Sequence, residues 1–112
     1  MKRLLITGAE GFVGRHYLAN HDQLNDWDDV YGIDSSSGES TEGVPIYGIN
    51  MLDADALERR IVESPPTHVL HLAALSSVAS SWEEPLETFQ NNTAIFLTLL
   101  ETLRHRGLKP RI

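Results

Sequence analysis

Leu4-Leu5-Ile6-Thr7-Gly8-Ala9-Glu10-Gly11-Phe12-Val13-Gly14 sets an apolar strand directly against three glycines at intervals of three residues, and a carboxylate, Asp34, follows twenty residues beyond the last of them. A backbone that cradles a dinucleotide pyrophosphate needs these features. Gly8 permits the tight strand-to-helix turn, Gly11 lets main-chain N–H groups approach the phosphates with no Cβ in the way, and Gly14 lets the helix pack close to the strand. The anion then rests on the positive end of the helix that begins near Gly11. Glycines also serve ordinary turns, but a strand before them and an acid at this distance after them favour the cofactor reading.

Composition narrows the alternatives. At 112 residues the chain is one domain with room for a real core. It has no cysteine, which excludes disulfides and thiolate metal sites. Met1-Lys2-Arg3 leads into an apolar run of only three residues before Thr7, too short for a signal-peptide core or a membrane span. A cytoplasmic protein with no membrane partner is expected. Net charge is −7, and the largest basic clusters are Arg59-Arg60 and Arg104-His105-Arg106, which argues against a nucleic-acid surface. Any phosphate is held by backbone dipoles rather than by a basic patch.

Short apolar strands alternate with helical stretches, the pattern of an α/β protein with parallel strands and helices on both faces. Residues 2–7 read as the first strand and residues 11–20 as its helix. A polar loop around Asp26-Trp27-Asp28-Asp29 precedes a second strand over 30–34. Residues 35–43 read as a flexible loop and 44–49 as a third strand. Asp53 caps a helix that runs to about Glu63, with Leu57 and Ile61 on its inner face and Ala54 a candidate third. Pro65-Pro66 stops it, and residues 67–72 form the fourth strand, leading into the turn Ala73-Ala74. The last helix opens at Glu83-Glu84-Pro85, carries Leu86, Phe89, Thr93, Phe96, Leu97, Leu100 and Leu103 as a stripe expected to face the core, and closes at Gly107. Arg111-Ile112 reads as the start of another strand.

Four motifs then combine: Thr-Gly-x-x-Gly-Phe-x-Gly at residues 7–14, Asn50-Met51-Leu52-Asp53, His71-Leu72-Ala73-Ala74, and Pro85-Leu86-Glu87-x-x-x-Asn91-Asn92. Their order and spacing resemble the extended short-chain dehydrogenase/reductases, the NAD-dependent epimerases and dehydratases that modify nucleotide sugars, over essentially the whole chain. The resemblance implies a Rossmann-type doubly wound parallel sheet, of which residues 1–112 form the N-terminal part, with about four strands in the order 3-2-1-4. It implies pyrophosphate binding through the main chain of Gly8, Gly11, Phe12, Val13 and Gly14, and ribose binding by Asp34 with Ser35 beside it. Adenine contacts fall to Asn50 and Met51, although Asn50 stands where the family has an acid. Leu72, Ala73, Ala74 and Ser76 line the cofactor toward its reactive end, and Asn91 contacts it from the long helix. The family's usual Gly-Thr pair on that helix is here Ile95-Phe96, a bulkier pair.

Asp34 also carries a charge argument of its own. A carboxylate accepts hydrogen bonds from a ribose diol and repels a 2′-phosphate, and residues 35–43 contain no Lys or Arg to offset the repulsion. NAD is therefore expected in preference to NADP. Other candidates are weaker. His71 reads as structural rather than as a base, and His68 and His71, three apart on a strand, point to opposite faces. His16 and His21 do not have metal-site spacing. Asp26, Asp28 and Asp29 form a solvated turn rather than a calcium loop. No metal site is expected.

The family's chemistry uses a Tyr-x-x-x-Lys pair, and this chain has none. Tyr17, Tyr31 and Tyr47 are followed four residues later by His21, Ser35 and Met51. The expectation is a chain truncated before strand five and the Tyr-x-x-x-Lys helix, inactive by itself and without catalytic residues of its own. The intact enzyme would act on a nucleotide sugar. The segment from His71 through Trp82 most resembles GDP-4-keto-6-deoxymannose reductases, with UDP-glucose 4-epimerase or a 4,6-dehydratase as alternatives. A non-catalytic dinucleotide-sensing module is the reading from another class. The long helix is expected to support a homodimer.

Overall fold

The computed structural model describes residues 1–40, 42–73 and 85–112. Its elements in chain order are β1 (Arg3–Thr7), α1 (Phe12–Leu18), α2 (His21–Leu24), β2 (Asp29–Asp34), β3 (Gly38–Glu39), β4 (Pro45–Gly48), α3 (Ala54–Glu63), β5 (His68–His71) and α4 (Pro85–His105). The sheet runs β3-β4-β2-β1-β5. The four longer strands are parallel and stand in the expected 3-2-1-4 order, while β3 pairs antiparallel with β4 at the edge.

Strand alternation divides the core in two. Leu5 points to the face covered by α3 and α4, where it meets Tyr31, Ile33, Met51, Leu57, Ile61, Leu99 and Leu103. Leu4 and Ile6 point to the opposite face with Ala9, Leu18 and Ile46, on the side of α1. Leu57 and Ile61, four apart on α3, are both fully buried. Asp53 caps that helix through its side chain, which accepts from the Ala56 N–H at 3.2 Å. Ala54 lies exposed and contributes nothing to the inner face.

Three sequence expectations need correction. Residues 35–43 are not simply a loop. They include β3, and the Ser37 hydroxyl accepts from the Gly48 N–H at 2.8 Å, so the segment folds back on β4. The first helix ends at Leu18 rather than near Asn20, and a further turn, α2, follows with the Asn20 side chain accepting from the Gln23 N–H at 3.2 Å. The stripe expected on α4 is largely reversed. Leu86, Phe89, Phe96 and Leu97 are exposed, and the buried face is Thr88, Leu99, Thr102 and Leu103, with Ile95 packed beside it. Threonine is tolerated inside because its hydroxyl bonds to the preceding turn. Thr98 Oγ1 donates to the Ala94 carbonyl at 2.7 Å and Thr102 Oγ1 to the Thr98 carbonyl at 2.8 Å.

The end of α4 follows its sequence signal. Gly107 adopts a φ of 68°, its N–H donates to the Arg104 carbonyl at 3.0 Å, and the Leu108 N–H reaches back to the Leu103 carbonyl at 2.9 Å. Arg111 then forms an isolated parallel bridge with His68 on the outer side of β5, where the sequence reads as the start of a strand. Among the described residues no helix is long and apolar enough to cross a membrane.

One buried polar cluster ties β1 to β5. Thr7 is fully buried, and its hydroxyl oxygen accepts from the Leu72 N–H at 3.1 Å and the Ala73 N–H at 3.2 Å. With both lone pairs taken, the hydroxyl hydrogen goes to His71 Nδ1 at 2.6 Å, which makes His71 a neutral ring protonated on Nε2. Burial holds its pKa below the ordinary histidine value. The unfolded chain therefore takes up the proton first as pH falls. This contribution to stability is whole above the ordinary value of 6.5 and is lost below it.

Two outcomes follow for stability. Ile61→Ala is expected to cost about 2–5 kcal/mol in urea unfolding, the range for emptying a filled core position. The urea midpoint is expected to fall between about pH 7.5 and pH 5.5, and His71→Gln to flatten that fall. An equally steep acid slope in the variant would remove His71 as its source.

Candidate cofactor-binding site

β1 lies between β2 on one side and β5 on the other, and the helices after β1 and after β5 pack on opposite faces. A crevice opens at such a reversal, beyond the carboxyl ends of the strands. Here it is a cleft of about 780 Å³, lined by the glycine turn and the first turn of α1, by Ile33, Asp34 and Ser35 after β2, by Ile49, Asn50 and Met51 after β4, by Leu72 and Ala73 after β5, and by Ile95 of α4.

The glycines occupy the places their spacing demands. Gly8 has a φ of 70°, where side chains are strained, and a Cβ there would come within 2.7 Å of the Leu72 carbonyl carbon. A Cβ on Gly14 would come within 2.6 Å of the Gly8 carbonyl oxygen, so the helix can approach the strand only through glycine. Gly11 is the N-cap of α1 and brings no side-chain cap with it. Its own N–H is engaged, donating to the Gly8 carbonyl at 3.0 Å. The first helical bond runs from the Arg15 N–H to the Gly11 carbonyl, so the N–H groups of Phe12, Val13 and Gly14 precede it and have no acceptor within the helix. Those three donors, at the positive end of α1, open on the cleft.

Asp34 closes the opposite side. Its Oδ2 accepts from the Glu10 N–H at 2.8 Å and its Oδ1 from the Ser35 N–H at 2.6 Å and the Ser35 hydroxyl at 3.2 Å. The carboxylate is thus tied to the glycine turn itself, and its acceptor geometry is set before any ligand arrives. Asn50 lines the cleft and is exposed, and its Oδ1 accepts from the Leu52 N–H at 2.9 Å. Met51 is buried beneath it. The cavity therefore has anion donors at one point, a fixed carboxylate at another and an apolar floor of Ile33, Ile49 and Met51 between them. That set fits a dinucleotide, with pyrophosphate on the donors, ribose at the acid and adenine over the floor.

Of the residues singled out in the sequence, Gly8, Gly11, Phe12, Val13, Gly14, Asp34, Ser35, Asn50, Met51, Leu72 and Ala73 meet around this one cleft. Asn91 is half-buried on α4, one turn before the lining residue Ile95. Ala74 and Ser76 lie outside the described residues. Sequence reasoning missed Glu10, Ile33 and Ile49 as lining residues, and Ile95 stood out only for its bulk. Ile95 packs against the core and faces the cleft, while Phe96 lies beside His71 with ring centroids 5.2 Å apart. The apolar character of Ile33 and Ile49 at strand ends was the available signal.

Comparison with known proteins agrees with the geometry. Residues 4–112 match the model of the NAD-dependent epimerase/dehydratase family. The chain is 30% identical to a UDP-glucose 4-epimerase of Erwinia amylovora over 94% of its own length and 34% of that enzyme. It is 31% identical to UDP-glucuronate 4-epimerase 3 of Arabidopsis thaliana, over 97% of this chain and 28% of the relative. Among solved structures, the UDP-glucose 4-epimerase of Thermus thermophilus in complex with NAD superimposes with a TM-score of 0.78 at 36% identity, covering 96% of this chain and 35% of that one. The chain thus spans about a third of the length of these relatives. Its fold, its glycine turn and the match over residues 4–112 make it a member of the NAD-dependent epimerase/dehydratase family.

Proposed function

We propose that residues 1–112 are the NAD-binding Rossmann part of a nucleotide-sugar enzyme whose Tyr-x-x-x-Lys helix and the strand before it follow α4. The observation that carries this reading is the cleft in which the open N-terminus of α1 faces a carboxylate fixed by the same glycine turn. Phe12, Val13 and Gly14 donate to the pyrophosphate, Asp34 accepts from the adenosine ribose, and Asn50 offers its amide to the adenine edge. Leu72 and Ala73 present small or apolar surface to the nicotinamide ribose, and Ala74, Ser76 and Asn91 extend the contact toward the reactive end. Bound NAD supplies a hydride acceptor. The chain's own residues hold and orient it, and none of them moves a proton.

The three tyrosines support that division. Tyr31 is buried, its hydroxyl donates to the Ser64 carbonyl at 2.8 Å, and burial raises its pKa above the ordinary tyrosine value. Tyr17 accepts from Trp27 Nε1 at 2.9 Å, and Tyr47 packs against the Arg60 guanidinium at 4.2 Å. Each is engaged in packing away from the cleft lining.

For the whole protein, the named relatives favour UDP-glucose 4-epimerase over the GDP-4-keto-6-deoxymannose reductase that the strand-end motif resembles, with a 4,6-dehydratase as the remaining alternative. A non-catalytic dinucleotide-sensing module is the second reading. Turnover of a UDP-sugar by the full-length protein decides between them. The exposed apolar residues of α4, Leu86, Phe89, Phe96 and Leu97, support homodimerisation through that helix.

Fluorescence titration is expected to show tighter binding of NADH than NADPH, and Asp34→Ala to weaken NADH about tenfold or more, the scale of a lost charged hydrogen bond. Tighter NADPH binding by the unaltered protein would overturn the assignment of Asp34. The 112-residue chain is expected to turn over no nucleotide sugar, and measurable epimerisation or NADH consumption by it would contradict the division of labour. Sedimentation is expected to show a dimer that Phe89→Glu dissociates. A monomer in both proteins would end the dimer proposal.

A further inference from the structure

The buried hydroxyl of Thr7 holds the β5 wall of the cleft. Its oxygen accepts from the Leu72 N–H at 3.1 Å and from the Ala73 N–H at 3.2 Å. Leu72 has a second acceptor, the Thr7 carbonyl at 3.0 Å, whereas among the described residues the Ala73 N–H has the hydroxyl alone. The Leu72–Ala73 peptide is packed in turn on the glycine turn, since a Cβ on Gly8 would stand 2.7 Å from the Leu72 carbonyl carbon and 2.8 Å from the Ala73 nitrogen. Gly8, Leu72 and Ala73 all line the cleft, and His71 does not.

The count of donors at Thr7 ties this wall to a proton. Neutral His71 presents Nδ1 as an acceptor 2.6 Å from the hydroxyl and takes the one hydrogen the hydroxyl can give. A protonated ring carries hydrogen on both nitrogens. Three N–H groups would then converge on an oxygen with two lone pairs, and the hydroxyl hydrogen would lose its acceptor. Phe96, its ring centroid 5.2 Å from that of His71, restricts the ring from turning aside. Ala73, without a second acceptor, is the donor that gives way.

Among the described residues, the groups that face His71 are uncharged: Thr7 from β1 and Phe96 from α4. His68, on the same strand, packs against Trp27 with centroids 4.9 Å apart, and Arg111, beyond β5, engages the backbone of Thr67 and Val69. Burial is what lowers the His71 pKa, so the neutral form prevails at pH 7.

We propose that His71 is a positioning residue for the cofactor, which in its neutral form locks the Thr7 hydroxyl onto the Ala73 N–H and on protonation releases that wall of the cleft. The proposal rests on the reading of this cleft as the NAD site. Binding and protonation are then linked and reciprocal, so that NADH binds less tightly as pH falls and bound NADH lowers the His71 pKa further. Simple attraction between an imidazolium and the pyrophosphate has the opposite sign on both counts.

NADH is titrated by fluorescence into the full-length protein at pH 7.5 and pH 5.5, and the His71 ring is followed by NMR across the same range with and without NADH. The dissociation constant is expected to rise about threefold or more on acidification, and the His71 pKa to fall on binding. His71→Asn puts an acceptor oxygen that does not titrate near the place of Nδ1, and is expected to keep the affinity at pH 7.5 and to flatten the pH dependence. Thr7→Ser keeps the hydroxyl and the pH dependence, whereas Thr7→Val is expected to weaken NADH about threefold or more at both pH values. A His71 pKa that is unchanged or raised in the NADH complex would overturn the proposal without recourse to any variant. Equal pH dependence in the unaltered protein and in His71→Asn would overturn it as well. If the unaltered protein binds no NADH at pH 7.5, the reading of the cleft itself fails.

Discussion

The exit from β1 is the constraint on which the site depends. Within two residues the chain ties itself to both neighbouring strands. Thr7 binds the backbone that leaves β5 through its hydroxyl, and the Gly8 and Ala9 N–H groups share the Ile33 carbonyl of β2 at 2.9 and 3.3 Å. Gly8 also lies so close to Leu72 that a Cβ has no room. The carboxyl ends of three adjacent strands are thereby held in one fixed relation, and the walls of the cleft inherit it. The site's geometry is a consequence of sheet closure at this point rather than of any loop adopting a chosen shape.

The electrostatics follow from the same backbone. A chain of net charge −7 that binds a pyrophosphate would be expected to collect cations around it. The described lining contains no Lys or Arg. Several of the basic side chains are committed elsewhere. Arg3 pairs with Asp29, Arg104 with Glu101 and Arg106 with Glu58, while Arg60 packs against Tyr31 and Tyr47. The positive potential that the described lining offers comes from peptide dipoles, whose direction is fixed by the fold.

Periodicity is a good guide where one face of an element is buried and the other is not. Leu4, Leu5 and Ile6 announce a strand covered on both sides, and the four-residue spacing of Leu57 and Ile61 is enough to mark the inner face of α3. The same rule fails on α4, because burial there is shared by threonines that satisfy their own hydroxyls, while large apolar side chains are left outside. It could not find β3, whose two residues are exposed on both sides and so carry no pattern. The glycine turn and Asp34 were legible from type and spacing. Glu10 was not, since an acid in a glycine turn reads as solvated, and neither the bond from its N–H to Asp34 nor that from its carboxylate to Arg15 leaves a mark in the residue pattern.

The two margins of the sheet are not equivalent. At β3, two exposed residues, one of them charged, run antiparallel to the rest and offer a very short row of free backbone groups. On the far side, the β5 backbone already exchanges hydrogen bonds with Arg111 in the parallel sense, at 2.7 and 3.0 Å through Val69 and Thr67. One margin is thus blunted against strand addition, and the other is already paired in part by the chain's own residues.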